Sequence, residues 1–143
     1  MWYADEDFCR RNRFGGLFIN AGHALEFYIS KDLLAKHPEW VGTVDGKPST
    51  HRFRWTAPGL AEAIADIAIE RIEQSPETTS WSLSPDDGLG YDNSAEDKAL
   101  DTGDFDPSVQ DISITDRQVW FCNKIVTRVA EKYPDKLFGM LAY

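Results

Sequence analysis

Two stretches of the chain alternate apolar and polar positions at helical spacing. In the first, Leu60, Ala61, Ile64, Ile67, Ala68 and Ile72 recur every three or four residues, with Glu62, Asp66, Glu70 and Glu73 mostly off the stripe. Thr56 is expected to cap this helix, with Pro58 in its first turn, where a missing N–H costs little. Ser75-Pro76 ends it. The second begins at Thr115, whose spacing to Gln118 fits a capping box. Its core stripe is expected at Val119, Cys122, Ile125, Val126, Val129 and Tyr133, and Tyr133-Pro134-Asp135 stops it.

Shorter apolar runs read as strands. Leu17-Phe18-Ile19 is expected to be a buried strand ending near Ala21-Gly22-His23, after a short helix tail from Asp5 to Arg13 closed by Gly15-Gly16. Thr78 to Leu83 is rich in Thr and Trp and predicts another strand, and Leu137 to Tyr143 a last one. Between the first strand and the first long helix the pattern is less regular. Tyr28 to Lys36 predicts a helical turn or two, broken at His37-Pro38. Trp40 to Val44 runs into Asp45-Gly46, a strong hairpin-turn signal, and Pro48 weakens the returning strand.

Strands alternating with helices of this length indicate parallel βα units, hence an α/β fold. Three strands and two long helices are too few to close a sheet. The expectation is therefore one partial domain over residues 1–143, part of a (β/α)8 (TIM-type) barrel, open at its sheet edges and prone to self-association through them.

Composition sharpens this picture in one place. At 42% hydrophobic and 27% charged residues, the chain has the make-up of a globular domain. Its net charge of −9 argues against nucleic acid as a partner, and no apolar run approaches the length of a membrane span. The charge is concentrated. Nine acids lie between Asp86 and Asp111, opposed by Lys98 alone, while the remainder of the chain is close to neutral. Residues 86–111 are thus expected to form an acidic, solvated, mobile loop. It lacks the register of a calcium-binding EF-hand loop. Two cysteines and three histidines show no metal-ligand spacing, and no metal or cofactor is expected.

Several short motifs occur in a suggestive order: Arg10-Arg11-Asn12-Arg13-Phe14-Gly15-Gly16, Ala21-Gly22-His23, His37-Pro38-Glu39-Trp40 with Asp45-Gly46-Lys47, Ser82-Leu83-Ser84-Pro85-Asp86-Asp87-Gly88, and Leu141-Ala142-Tyr143. Together they resemble the family called domain of unknown function 4838, over nearly the whole chain but only the middle of a family member. The resemblance implies kinship with barrel glycoside hydrolases of the α-glucuronidase type. It also implies a large, often secreted bacterial parent, and so an extracytoplasmic setting. One departure stands out. The family pattern has Asn where this chain has Asp86, followed by a cluster of cysteines that is missing here.

Candidate chemistry follows from position. A polar residue just after a parallel strand sits where open sheets and barrels place their sites. Asp87, with Asp86, is the expected catalytic position. Glycoside hydrolysis needs two carboxyls across the bond to be cut, and neighbours on an extended chain face opposite ways, so a further partner is needed. The bland alternative is that Asp86-Asp87-Gly88 starts a turn. His23 is expected to bind a sugar hydroxyl or carry a proton, and Tyr143 and Trp81 to offer a ring to a sugar, against an equally simple role in packing. Arg10, Arg11 and Arg13 could meet a substrate carboxylate, but they precede the first strand, and a salt-bridging role is expected. The functional expectation is a glycoside-hydrolase-like domain acting on or binding a polysaccharide or glycoside. The alternative is a non-catalytic carbohydrate-binding or scaffold domain, or an inactive fragment, on the same fold.

Overall fold

A computed structural model of the chain describes residues 6–13, 16–88 and 90–141. The elements in order are α1 (Glu6–Arg11), a 3-10 turn (Leu25–Tyr28), α2 (Lys31–Lys36), a second 3-10 turn (Pro38–Trp40), β1 (Val41–Val44), β2 (Lys47–Phe53), α3 (Leu60–Gln74), β3 (Ser80–Ser82), α4 (Ala95–Lys98), β4 (Phe105–Asp106), β5 (Asp111–Ile112), α5 (Thr115–Ala130) and β6 (Leu137–Gly139). Strands pair two by two: β1 with β2 and β4 with β5 antiparallel, β3 with β6 parallel. A parallel bridge between His23 and Ser84 adds a third chain segment beside β3.

The core forms where α3 and α5 pack on each other and on β3. Leu60, Ile64, Ala65, Ala68 and Ile72 of α3 are sealed against Phe121, Ile125 and Val129 of α5, with Leu83 below and Leu25, Tyr28, Trp40 and Trp55 at one end. Trp55 stacks on Phe121 with ring centres 5.8 Å apart. Ala65 takes the buried place expected for Ile67, which is only half-buried. In α5, Phe121 is the buried residue and Val119 is exposed, because the observed stripe runs Gln118, Phe121, Cys122, Ile125, Val129.

Neither long helix is capped as expected. Gly59 is the N-cap of α3, while Thr56 turns away to donate its hydroxyl to Asp97. Ile114 precedes α5 without a side-chain cap, and Ser113 Oγ accepts the Thr115 N–H instead. The hairpin stands where Asp45-Gly46 put it. Both residues have positive φ, 51° and 73°, as a type I′ turn requires. Pro48 lies within β2, which pairs with β1 alone.

Leu17-Phe18-Ile19 is not a strand. Leu17 and Phe18 are 66% and 77% exposed, and hydrogen bonding to the β3 segment starts at Asn20. There the serines of β3, with Ser84 just beyond it, replace a ladder. Ser80 Oγ accepts the Asn20 N–H, Ser82 Oγ donates to the Gly22 carbonyl and Ser84 Oγ to the Ala21 carbonyl. Backbone groups must be paired somewhere, and side-chain partners hold residues 20–23 as a strap rather than a strand. The strap runs close over β6: a Cβ on Gly139 would stand 2.2 Å from the Asn20 carbonyl oxygen.

Residues 86–111 are not an unbroken solvated loop. They contain α4 and the β4–β5 hairpin, and two of their acids are interior. Asp97, 1% exposed, accepts the Trp55 and Thr56 N–H groups at 3.0 and 2.9 Å. Asp92, also 1% exposed, accepts the Thr43 N–H and both donors of Ser94. Buried carboxylates persist only when hydrogen bonds replace water, and here Thr43, Trp55, Thr56 and Ser94 supply them. Among the described residues no helix is long and apolar enough to cross a membrane.

Candidate functional site

The parallel segments all end on one side of the sheet. Beyond the strap stands His23, beyond β3 stand Pro85, Asp86 and Asp87, and beyond β6 stands Leu141. All five line one open cleft of about 910 Å³. Its other walls come from Tyr91, the β4–β5 hairpin and the first turn of α5.

The turn that carries the two aspartates is held from behind by Arg52 of β2, which the sequence did not single out. Its guanidinium is buried and donates to four carbonyls: Nη1 to Asp86 at 2.8 Å, Nη2 to Asp87 at 3.1 Å and Gly88 at 2.9 Å, and Nε to Gly90 at 2.9 Å. The same guanidinium lies over the Tyr91 ring at 4.7 Å and 3.6 Å from Glu26. Glu26 accepts the Asp86 N–H at 2.7 Å. Burial raises the Glu26 carboxyl above its ordinary range, with Arg52 pulling the other way. A positive charge on a strand as polar as Lys47–Phe53 looks like a solvated position in sequence. Only the fold shows that Arg52 is interior.

Asp86 and Asp87 each accept the next backbone N–H, of Asp87 at 3.0 Å and of Gly88 at 2.9 Å. Their carboxylates therefore also build the turn, as the bland alternative anticipates, while both residues are exposed on the cleft. His23 places Nδ1 2.6 Å from the Pro85 carbonyl. A carbonyl only accepts, so Nδ1 carries the hydrogen, and in the neutral ring Nε2 is the nitrogen with the lone pair.

Two further charged residues meet in the cleft. Arg117, in the first turn of α5, is buried, and its Nη1 donates to the Asp92 carbonyl at 2.6 Å. Its Nε lies 2.9 Å from Asp101 Oδ1 but out of line for a hydrogen bond. Burial raises the Asp101 carboxyl despite the neighbouring cation, helped by the charges of Asp97 and Asp116.

Of the residues expected at the site, His23, Asp86 and Asp87 come together. Trp81 does not join them. It packs against the hydrophobic core, its indole N–H buried without a partner. Tyr143 lies outside the described residues. Arg10 of the early basic cluster pairs with Asp7 within its own helix at 2.9 Å, exposed and away from the cleft lining. Among the described residues, no three His, Cys, Asp or Glu side chains stand together as a metal site. Cys122 is a core residue, its thiol pushed up by burial to about 12 and so neutral.

No curated protein and no solved structure matches the chain. A family model does, across residues 7–143, and with the motifs of the strap, the hairpin and the Asp86-Asp87-Gly88 turn falling inside that span, the chain belongs to the family described as Domain of unknown function (DUF4838).

Proposed function

We propose that this chain is the cleft-bearing part of a glycoside-hydrolase-like (β/α)8 barrel that acts on or binds a polysaccharide or glycoside. The observation that carries the reading is the meeting of His23, Asp86 and Asp87 at the C-terminal ends of parallel segments, on a cleft large enough for a few sugar rings. That is the end where barrels and open α/β sheets place their chemistry. Asp87 is the principal polar residue, with Asp86 and the Nε2 of His23 beside it. Asp101 brings a third carboxyl to the same cleft.

Binding without turnover is the second reading. Its support is the turn itself: Asp86 and Asp87 each spend an oxygen on the neighbouring backbone N–H, an arrangement suited to fixed hydrogen bonding. The two readings part in one experiment. Neutral oligosaccharides are titrated by calorimetry, and the same panel is assayed for released reducing ends, with His23→Ala and Asp87→Asn beside the parent. Release that Asp87→Asn lowers at least about a hundredfold, the scale of a lost acid–base group, supports hydrolysis. Binding with no release supports the second reading. No binding and no release would remove both.

A further inference from the structure

The cleft is lopsided in charge. Seven carboxylates line it against two cations, Lys98 and Arg117. Internal pairing does not correct this. Arg52, behind the aspartate turn, gives its donors to four carbonyls, and Arg117 donates to the Asp92 carbonyl and pairs with Asp101. Neither presents a free fork to an anion. On the opposite side, Asp45, Asp106 and Asp111 line the cleft with no ion-pair partner among the described residues.

A second observation comes from inside the wall. The Asp101 side chain is only 9% exposed, lines the cleft, and receives no hydrogen bond at its buried Oδ1. Arg117 stands 2.9 Å away but is out of line for a hydrogen bond and shared with the Asp92 carbonyl, and Lys98 adds only a weaker attraction. A desolvated carboxylate left short of donors is costly, and a cationic or donor-rich ligand group in the cleft relieves that cost. Burial raises the Asp101 pKa, in keeping with the same shortage. The remaining lining offers Tyr91, Val109, Ile112 and Ile114, surfaces suited to the apolar face of a ring.

We infer that the ligand of this cleft is an amine-bearing saccharide, its protonated amine drawn by the carboxylates and its ring lying on the apolar lining. The inference rests on the carbohydrate reading above and adds the charge of the substrate. An anionic sugar would meet like charge on most of the wall.

The test titrates four probes into the chain by calorimetry in metal-free, low-salt buffer at about pH 6, where carboxylates are ionised and amines protonated. The probes are a glucosamine tetrasaccharide, its fully N-acetylated counterpart, a galacturonic acid tetrasaccharide and putrescine. The expected result is that the glucosamine oligomer binds at least about tenfold more tightly than the acetylated one, with the preference shrinking as salt is added. Asp111→Asn and Asp45→Asn, both on the cleft rim, reduce that preference without changing the melting temperature. Equal or tighter binding of the acetylated or the anionic oligomer overturns the charge assignment and leaves the carbohydrate reading standing. Binding of putrescine but of no saccharide overturns the amine-bearing saccharide and the carbohydrate reading together, and leaves a cation site. No binding by any probe overturns both.

Discussion

Arg52 shows how much one side chain can organise. It ties a strand of the hairpin to four carbonyls of the aspartate turn, so truncation removes a charged donor from all of them at once. Arg52→Met is expected to cost about 1–3 kcal/mol, the range for hydrogen bonds lost from a buried charged group, read by urea unfolding. Hydrogen exchange at the Asp87 and Gly88 amides should quicken more than exchange in α3. Asp97 plays the matching role on the other side of the hairpin. Asp97→Ala strands the Trp55 N–H inside the protein and is expected to destabilise by about 2–3 kcal/mol, with Asp97→Asn recovering part of it. Neither role is visible in sequence. Asp97 sits among nine acids that look alike there, and what separates it from its exposed neighbours is a pair of N–H groups some forty residues earlier.

The long helices are the elements the pattern of apolar positions describes best, because burial on one face imposes a period that no other feature imitates. In α5 the expected Cys122, Ile125 and Val129 are buried, while Phe121 joins them and Val119 faces out. Phe121→Ala, emptying a fully buried ring site that stacks on Trp55, is expected to cost about 3–5 kcal/mol in chemical denaturation. On the outer surface of the same pair, Lys132 and then Tyr133 hold the Glu73 carboxyl below its ordinary value of 4.5. A lowered carboxyl contributes stability that is complete above the unfolded value and is lost as pH falls through the folded one. The contribution of this exposed pair should therefore fade below about pH 4.5 and in high salt. Lys132→Met should flatten that part of the melting-temperature profile. Strand expectations fared unevenly. The hairpin turn was legible because positive φ at two successive residues asks for Asp45-Gly46. The run Leu17-Phe18-Ile19 was misleading because an apolar triplet specifies no partner, and residues 20–23 pair with serine side chains. Gly139→Ala drives a methyl into the Asn20 carbonyl. Circular dichroism melts should show a loss of about 1–3 kcal/mol, and the His23 ring resonances should shift as the strap moves.

Over the whole molecule, the cleft exists because segments separated by more than fifty residues end side by side. His23, Asp86 and Asp87 were legible as candidates because each follows an apolar segment and precedes a break, which is where sheets present polar groups. Arg117 was not, since a charged residue in the first turn of a helix reads as surface. Trp81 was indistinguishable in sequence from a ring that stacks on sugars, and the fold turned it to the core. The far edge of β6 has no strand neighbour among the described residues, and Leu17 and Phe18 stand exposed. Open edges and bare apolar side chains favour association, so light scattering should give a mass that rises with concentration, and Phe18→Ser should lower it. What the sequence by itself determined is local: two amphipathic helices, a tight hairpin turn, and the concentration of acid between Asp86 and Asp111. Those follow from periodicity, dihedral preference and charge, which need no distant partner. The tertiary structure decided which acids are interior, which arginine grips the turn, which tryptophan is core and which residues share the cleft. Each of those depends on a donor, an acceptor or a wall supplied from far along the chain, and burial is a property of the folded contact rather than of the residue.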